Sequence, residues 1–342
     1  MFSNLRRPHN RRHPSYYSAH GATEINMNMN IKKISSALSL LALSTALTAC
    51  GNNQPQPTQE TAQLQSNVVA LAHEASVPTY WPTTVRLAVT GLEGMEELQR
   101  NHEPFRQLLE QKMGVDFEFF ALSSRVVSAT AMQMGQVDVI LAGPSEYVQI
   151  KYETPNAQIL AAMERQYYHT VFIVKYDSPL QNLQDLVGTT IGMGSVGSTS
   201  RHIGPSAMLI EEGFDLDRDF TIHNLGTSGS IAALRGGDVD AIAGGIRDFM
   251  SLEAEDGYGV FRILVEGPQL PQDPFVASPD LPQSLRDELS RVLLTYSDAI
   301  LSAMLESEGE DSNKYAGAAI VTIDDSYFDA IRAAYRALGL EL

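Results

Sequence analysis

From Thr84 onward, short apolar strands alternate with amphipathic helices, and this rhythm constrains the fold more than any other feature of the chain. Period-two and period-3.6 patterning predicts strands over 84–90, 116–122, 137–142, 158–162 and 170–176, with helices over 95–113, 124–134 and 145–151. The pattern then restarts. Strands are expected over 189–193, 220–224, 238–243 and 260–265, separated by helices over 199–212, 230–235 and 246–252. A strand over 275–278, a long helix over 283–305 and a terminal helix over 324–338 complete the chain. Repeated βαβ units imply an α/β fold with mostly parallel sheets flanked by helices. So many strands exceed one comfortable sheet, so the chain is expected to form two lobes. Crossings between them are placed near Lys175–Ser178 and Pro268–Pro274, giving lobe 1 as 84–175 plus 275–342 and lobe 2 as 176–270. Ligands of such sheets sit beyond the carboxyl ends of the strands, here in the interlobe cleft.

The amino-terminal region reads differently. Lys32 and Lys33 precede an apolar run over 34–47 that ends in Leu47-Thr48-Ala49-Cys50. A basic segment, a short apolar stretch and small residues before a cleavage point describe a secretory signal peptide, here 1–49. The run is shorter than the roughly 20 apolar residues of a membrane span. Leu47-Thr48-Ala49-Cys50-Gly51 resembles a bacterial lipobox, so Cys50 is expected to carry a lipid that ties the exported protein to a membrane. Residues 1–26 are polar and basic, unlike a signal peptide, and translation is expected to begin at Met27 or Met29. Residues 51–59 are rich in Gln, Asn and Pro, and 50–83 is expected to form a flexible tether, with a short helix possible over 68–73. Cys50 is the only cysteine, which excludes an internal disulfide.

Charge removes one class of partner. The chain carries −17 overall; six basic residues before Cys50 against Glu24 alone leave about −22 on the remainder. Such a surface repels nucleic acid, and no basic stripe offsets it. An anionic ligand would have to be captured by local donors.

The richest local segment is Gly192-Met193-Gly194-Ser195-Val196-Gly197-Ser198-Thr199-Ser200-Arg201-His202, between a predicted strand and helix. Glycines admit close backbone approach, the first helical N–H groups have no partner within the helix, and three hydroxyls add donors. Two readings fit: an anion site, or ordinary N-cap chemistry. Gly192, Gly194 and Gly197 also match the dinucleotide fingerprint, but the next strand ends in Asn224 where an acidic residue is required. No cofactor is expected. A second turn, Gly226-Thr227-Ser228-Gly229-Ser230, offers donors to the cleft or caps a helix. Histidines never occur at HxxxH or HExxH spacing in the mature region, so no metal is expected, and His223 reads as a packed strand residue. No GxSxG elbow or nucleophile–base constellation indicates an enzyme. Ser145, in Gly143-Pro144-Ser145-Glu146, sits at a helix start facing the cleft. Arg125 opposes the dipole of its own helix, which fits an anionic ligand or a solvated surface position equally. One of Tyr167 and Tyr168 is expected to line the cleft.

The chain resembles the phosphonate-, phosphite- and phosphate-binding family of ABC-importer substrate-binding proteins over roughly 84–340. The matching pieces are Gly143-Pro144-x-x-Tyr147-Val148, Phe172-Ile173-Val174 with Asp177-Ser178, and Leu183-x-Asp185-Leu186-x-Gly188. Ser198-Thr199-Ser200 with Pro205, Val239-Asp240-Ala241, Pro274-Phe275-Val276 and Asp280-Leu281-Pro282 follow in order. The resemblance implies a two-lobed type II periplasmic binding fold that closes on its ligand without chemistry. It also implies that Ser198, Thr199 and Ser200 hold phosphonate oxygens and that Tyr168 lies beside them. An ABC permease as partner, a monomeric state and a position outside the cytoplasmic membrane follow from the same likeness. Four departures bear on the ligand. Arg125 stands where the family often has tyrosine, Ser228 where it often has histidine, Arg201 where a glycine often follows Ser-Thr-Ser, and Gly245 where a carboxylate is expected. The absent carboxylate argues against an aminoalkylphosphonate, so phosphate, phosphite or an unaminated phosphonate is expected. A sensor that presents its occupied form to a receptor, and a binder of another small anion, remain the alternatives.

Overall fold

Apolar runs and helices alternate along the chain because it builds two separate sheets, each covered on both faces. The computed structural model describes residues 77–91, 94–306, 314–340 and 342. The export segment, Cys50 and the helix considered over 68–73 lie outside the described residues. In chain order the first lobe begins with β1 (Thr84–Val89), α1 (Met95–Met113), β2 (Asp116–Phe119), a 3₁₀ turn Arg125–Val127, α2 (Ser128–Gln133) and β3 (Val139–Leu141). It continues with α3 (Pro144–Glu153) and β4 (Gln158–Glu164). The second lobe holds β5 (His169–Lys175), β6 (Thr190–Met193), α4 (Gly204–Glu211), α5 (Leu216–Asp219) and β7 (Thr221–Asn224). It closes with α6 (Gly226–Gly236), β8 (Ala241–Gly245), α7 (Ile246–Asp256) and β9 (Phe261–Gln269). The chain then returns to the first lobe through β10 (Asp273–Ala277), α8 (Gln283–Thr295), α9 (Ser297–Leu305), β11 (Ala319–Val321) and α10 (Asp329–Ala337).

The first sheet runs β11-β4-β10-β3-β1-β2 and the second β7-β6-β8-β5-β9. Pairing is parallel around β1 and around β6, but β10 is antiparallel to β3 and β4, and β5 is antiparallel to β8 and β9. Both sheets are therefore mixed, which corrects the expectation of mostly parallel ones. The reason is topological. β5 and β10 are the strands that cross between lobes, and each enters its new sheet directly, without the crossover helix that parallel pairing requires.

The first crossing also falls earlier than expected. β5 belongs to the second sheet, so the chain changes lobe between Glu164 and His169, not at Lys175–Ser178. Tyr167, at φ 54°, is the single non-glycine residue with positive φ among those described, and it turns the chain there. The return passes through 270–272, where the Leu270 N–H donates to the Tyr168 carbonyl at 2.8 Å and ties the two crossings together. A strand with no helix before it carries no signal of which sheet it joins.

Along β5, Phe172 and Val174 enter one core with Ile191 and Leu209, while Val171 and Ile173 enter the opposite core with Leu234 and Leu252. That alternation with both faces buried explains the uninterrupted apolar run of a central strand. Helix α1 buries Leu98, Phe105, Leu109 and Met113 against Val85, Leu87 and Phe275. On the other face of the first sheet, Ile140 and Val276 pack with Tyr147, Phe328 and Ile331. Ile203 and Ala207 of the second lobe join this same cluster, so the lobes share a core beside the cleft.

Three smaller differences complete the fold. The helix expected over 283–305 breaks at Tyr296 into α8 and α9. β11 is a three-residue edge strand, too short for period-two patterning to reveal. The described end of the expected tether is docked: the Trp81 indole N–H donates to Ser284 Oγ at 2.9 Å and its ring packs on the first core.

Candidate functional site

Both walls of the interlobe cleft are built from a strand that stops at glycine and a helix that starts there. In the first lobe, β3 leads to Gly143, extended at φ −73° and ψ 165°, and Pro144 opens α3. Proline is suited to that position because its missing N–H would have no helical partner. Glu146, in the third position of α3, has a side chain only 1% exposed. It accepts from Arg125 Nη1 at 2.7 Å and from Ser145 Oγ at 2.8 Å. Arg125 lies flat on Gly91, where an added Cβ would overlap the guanidinium and where φ is 93°. Arg125 therefore lines the cleft and is not a solvated surface residue.

In the second lobe, Ser198, Thr199 and Ser200 lie at the cleft floor, each under 5% exposed. A π-type turn, Thr199–Ile203, precedes α4, and Ser198 makes no side-chain cap bond. Simple N-capping by Ser198 is thus not how this turn is built. Arg201 follows, packed so closely on Gly194 that a Cβ there would sit 2.5 Å from its own Cβ. Its Nε and Nη2 donate to the two oxygens of Asp248 at 2.8 and 2.6 Å. Burial acts to raise the Asp248 carboxyl, but Arg201 and the Gly245 N–H, at 2.7 Å, outweigh it and hold the group below the usual range. Thr227 and Ser228, at the start of α6, line the cleft together with Ser195.

Ser145 does something different from the expected ligand contact. It is fully buried and absent from the cleft lining. Its single Oγ–H is shared between the Gly197 carbonyl, at 2.6 Å, and Glu146, and its N–H donates to Thr199 Oγ1 at 3.0 Å. It is a clasp between lobes.

The end of the cleft near the crossings contains what sequence reasoning missed. The Arg165 guanidinium stacks 3.7 Å from the Tyr168 ring centre, so Tyr168 lines the cleft while Tyr167 is 62% exposed. Arg165 Nη1 reaches Asp273 at 3.5 Å, and Asp273 also accepts from the Tyr315 hydroxyl at 2.9 Å. Arg247 and Lys314 complete this wall. Arg165 lies two residues before the tyrosine pair, so reading that segment two residues further toward the amino terminus would have found it. Arg247 follows Gly245 at a helix start, the same signal that singled out Ser145. Three residues after Gly245, Asp248 adds a carboxylate to the cleft lining, where Arg201 engages it. His223 is exposed on the edge strand β7, contrary to the packed reading.

The cleft encloses about 780 Å³. Among the described residues its lining holds six cationic side chains, Arg100, Arg125, Arg165, Arg201, Arg247 and Lys314, against three carboxylates, Glu97, Asp248 and Asp273. In a chain of net charge −17 this local excess of positive charge marks a site for an anion. Among the described residues no group of three or more His, Cys, Asp or Glu is placed to hold a metal.

Comparison with known proteins agrees with this geometry. The chain is 25% identical over 223 residues to the phosphonates-binding periplasmic protein of Escherichia coli K12, a match covering 62% of this chain and 66% of the relative. It is 28% identical over 139 residues to the phosphate-import protein PhnD of Mycolicibacterium smegmatis, covering 39% and 43% of the two chains. The chain thus spans less than two thirds of the length of either relative. The fold matches PhnD1 of Prochlorococcus marinus MIT 9301, solved with methylphosphonate, at a TM-score of 0.62 and 17% identity over 75% of this chain and 99% of that one. Residues 87–327, which carry all but the first three residues of the two sheets and every cleft arginine, match the family described as ABC transporter, phosphonate, periplasmic substrate-binding protein, and the chain belongs to that family.

Proposed function

We propose that this protein is the exported solute-binding component of an ABC importer and captures a small phosphorus oxyanion between its closing lobes. The observation that carries this reading is the buried Ser198-Thr199-Ser200 turn in a cleft where cations outnumber carboxylates six to three. Hydroxyls and helix-start N–H groups suit tetrahedral oxygens, and guanidinium forks add charge and direction. The ligand class is phosphonate, phosphite or phosphate. An ammonium-bearing phosphonate is disfavoured because the excess cations oppose its amine. Closure would be read by a membrane permease, with the protein acting as a monomer and tethered through a lipid on Cys50.

The test is a thermal-shift panel on protein purified without phosphate. It holds phosphate, phosphite, methylphosphonate, 2-aminoethylphosphonate, sulfate and simple carboxylates. A ligand at 100 times its Kd stabilises the fold by about 2.7 kcal/mol. The expected outcome is a shift confined to phosphorus oxyanions and lost in the Ser198→Ala/Thr199→Ala double variant. A response only to carboxylates, or a preference for 2-aminoethylphosphonate, would overturn the ligand assignment. For the anchor, Cys50→Ala is expected to move the protein from the membrane fraction to the soluble one.

A further inference from the structure

The cations of the cleft are not equally matched. Arg125 is held by Glu146 and Arg201 by both oxygens of Asp248. At the end near the crossings, Arg247 makes no ion pair among the described residues, and Arg165 makes one, with Asp273. Arg165 meets it over 3.5 Å, and Asp273 also serves the Tyr315 hydroxyl. Arg247 Nη2 donates to a backbone carbonyl, that of Ala316 in the other lobe, at 3.0 Å. Nε of Arg165 and Nε of Arg247 are both buried without a hydrogen-bond partner among the described residues. Burial, and then the charge of Arg165, push the Arg247 guanidinium down from its ordinary value. Two partly buried guanidiniums that repel one another, each with a buried Nε donor left unsatisfied, are stabilised by an anion placed between them. Volume points the same way. About 780 Å³ falls within the roughly 300–1,000 Å³ of pockets that enclose whole organic ligands, and one phosphorus centre with three oxygens leaves most of it to water.

We infer that the ligand is a two-headed anion, with a phosphoryl group on the Ser198-Thr199-Ser200 turn and a second oxyanion, carboxylate or phosphoryl, on Arg247 and Arg165. The inference rests on the reading of the cleft as a phosphorus-oxyanion site. It explains why the wall that would face an ammonium carries arginines, and guanidinium forks recognise carboxylate and phosphoryl oxygens in the same bidentate way.

Isothermal titration of the protein, purified without phosphate, compares pairs of ligands alike in length. Phosphonoacetate is set against ethylphosphonate, 3-phosphonopropionate against propylphosphonate, and methylenediphosphonate distinguishes a second phosphoryl from a carboxylate. One or more diacids is expected to bind at least tenfold more tightly than its monoacid partner. In Arg247→Gln the diacid should lose about tenfold more affinity than the monoacid, and Arg247→Lys should recover part of the difference. Melting curves of both variants establish that they fold. Equal affinities across every pair, or an Arg247→Gln loss equal for diacid and monoacid, overturns the two-headed ligand. If the monoacids still bind and Ser198→Ala/Thr199→Ala abolishes that binding, the phosphorus-oxyanion reading survives that loss. Failure of every phosphorus compound to bind overturns both.

Discussion

The two walls of the cleft are variations on one local design, and their difference locates the function. In each, a buried strand ends at a glycine, a helix begins, and the third helical residue is a buried carboxylate that holds an arginine: Glu146 with Arg125, and Asp248 with Arg201. In each, that arginine lies against a glycine, Gly91 or Gly194. In each, the second helical residue reaches across to the other lobe. There the likeness ends. Ser145 is small and neutral, and it clasps Gly197 and Thr199. Arg247 is charged, spans to the Ala316 carbonyl, and brings a positive charge that no carboxylate on its own helix answers. The first wall is thus a neutral latch beside a matched ion pair. The second adds a cation to an equally matched pair, so under the proposed function the attraction for an anion is concentrated there.

The largest expected effect separates the two ion pairs. Removing one partner of a buried pair leaves an uncompensated charge and costs about 3–5 kcal/mol in fully buried cases. Glu146 is 1% exposed and Asp248 6%, while their arginines are 19% and 24% exposed. Glu146→Gln should therefore destabilise the ligand-free protein by about 3 kcal/mol in urea titrations, and Asp248→Asn by less. Each variant loosens the hold on an arginine inside the proposed anion site, so affinity for the bound oxyanion should rise as stability falls. Opposite movements of stability and affinity would sharpen the comparison. A fall in both would mean that the pairs position the arginines and do not restrain their charge.

The glycine contacts come next. A Cβ at Gly91 meets the movable tip of Arg125, whereas a Cβ at Gly194 meets the Cβ of Arg201, which cannot move without its backbone. Gly194→Ala is therefore expected to disturb the adjoining Ser-Thr-Ser turn and weaken oxyanion binding by more than tenfold. Gly91→Ala carries the strain of positive φ, so its cost should show first in the melting temperature. Equal loss of affinity in both would place the two arginines on the same footing toward the ligand.

This asymmetry explains what could be read from the sequence. Helix and strand positions follow from periodicity, so α1 is recovered to its ends and β6 to within one residue. The Ser-Thr-Ser turn is visible because glycine and hydroxyl residues cluster in one short segment. Arg125 is visible because it opposes its own helix dipole. Arg165 and Arg247 carry no such local mark. They come together only because β5 joins the second sheet and brings the crossing beside α7, a fact of topology that no window of sequence contains. Ser145 was singled out for its place at a helix start, but its partner is across the cleft in the other lobe, and spacing cannot supply that distance.

The smallest expected effect concerns pH and belongs to the second wall. His202 Nδ1 accepts the Gly197 N–H at 3.3 Å, and the Gly197 carbonyl accepts the Ser145 clasp. Burial pushes the His202 imidazole below its ordinary value of 6.5. The folded protein therefore resists a proton that the unfolded chain takes up near pH 6.5, so this contribution to stability is full above that pH. It declines as pH falls from there toward the lowered folded value, and it is constant again beneath that. One group changes stability by at most about 1.4 kcal/mol per pH unit. The depressed Asp248 carboxyl adds a second loss only below its ordinary 3.8, well separated from the first. Urea titrations between pH 7 and about 5 should therefore show a shallow decline that His202→Gln reduces, since glutamine can accept the Gly197 N–H without titrating. An unchanged slope in that variant would assign the pH response elsewhere and detach the clasp in the first wall from the turn in the second.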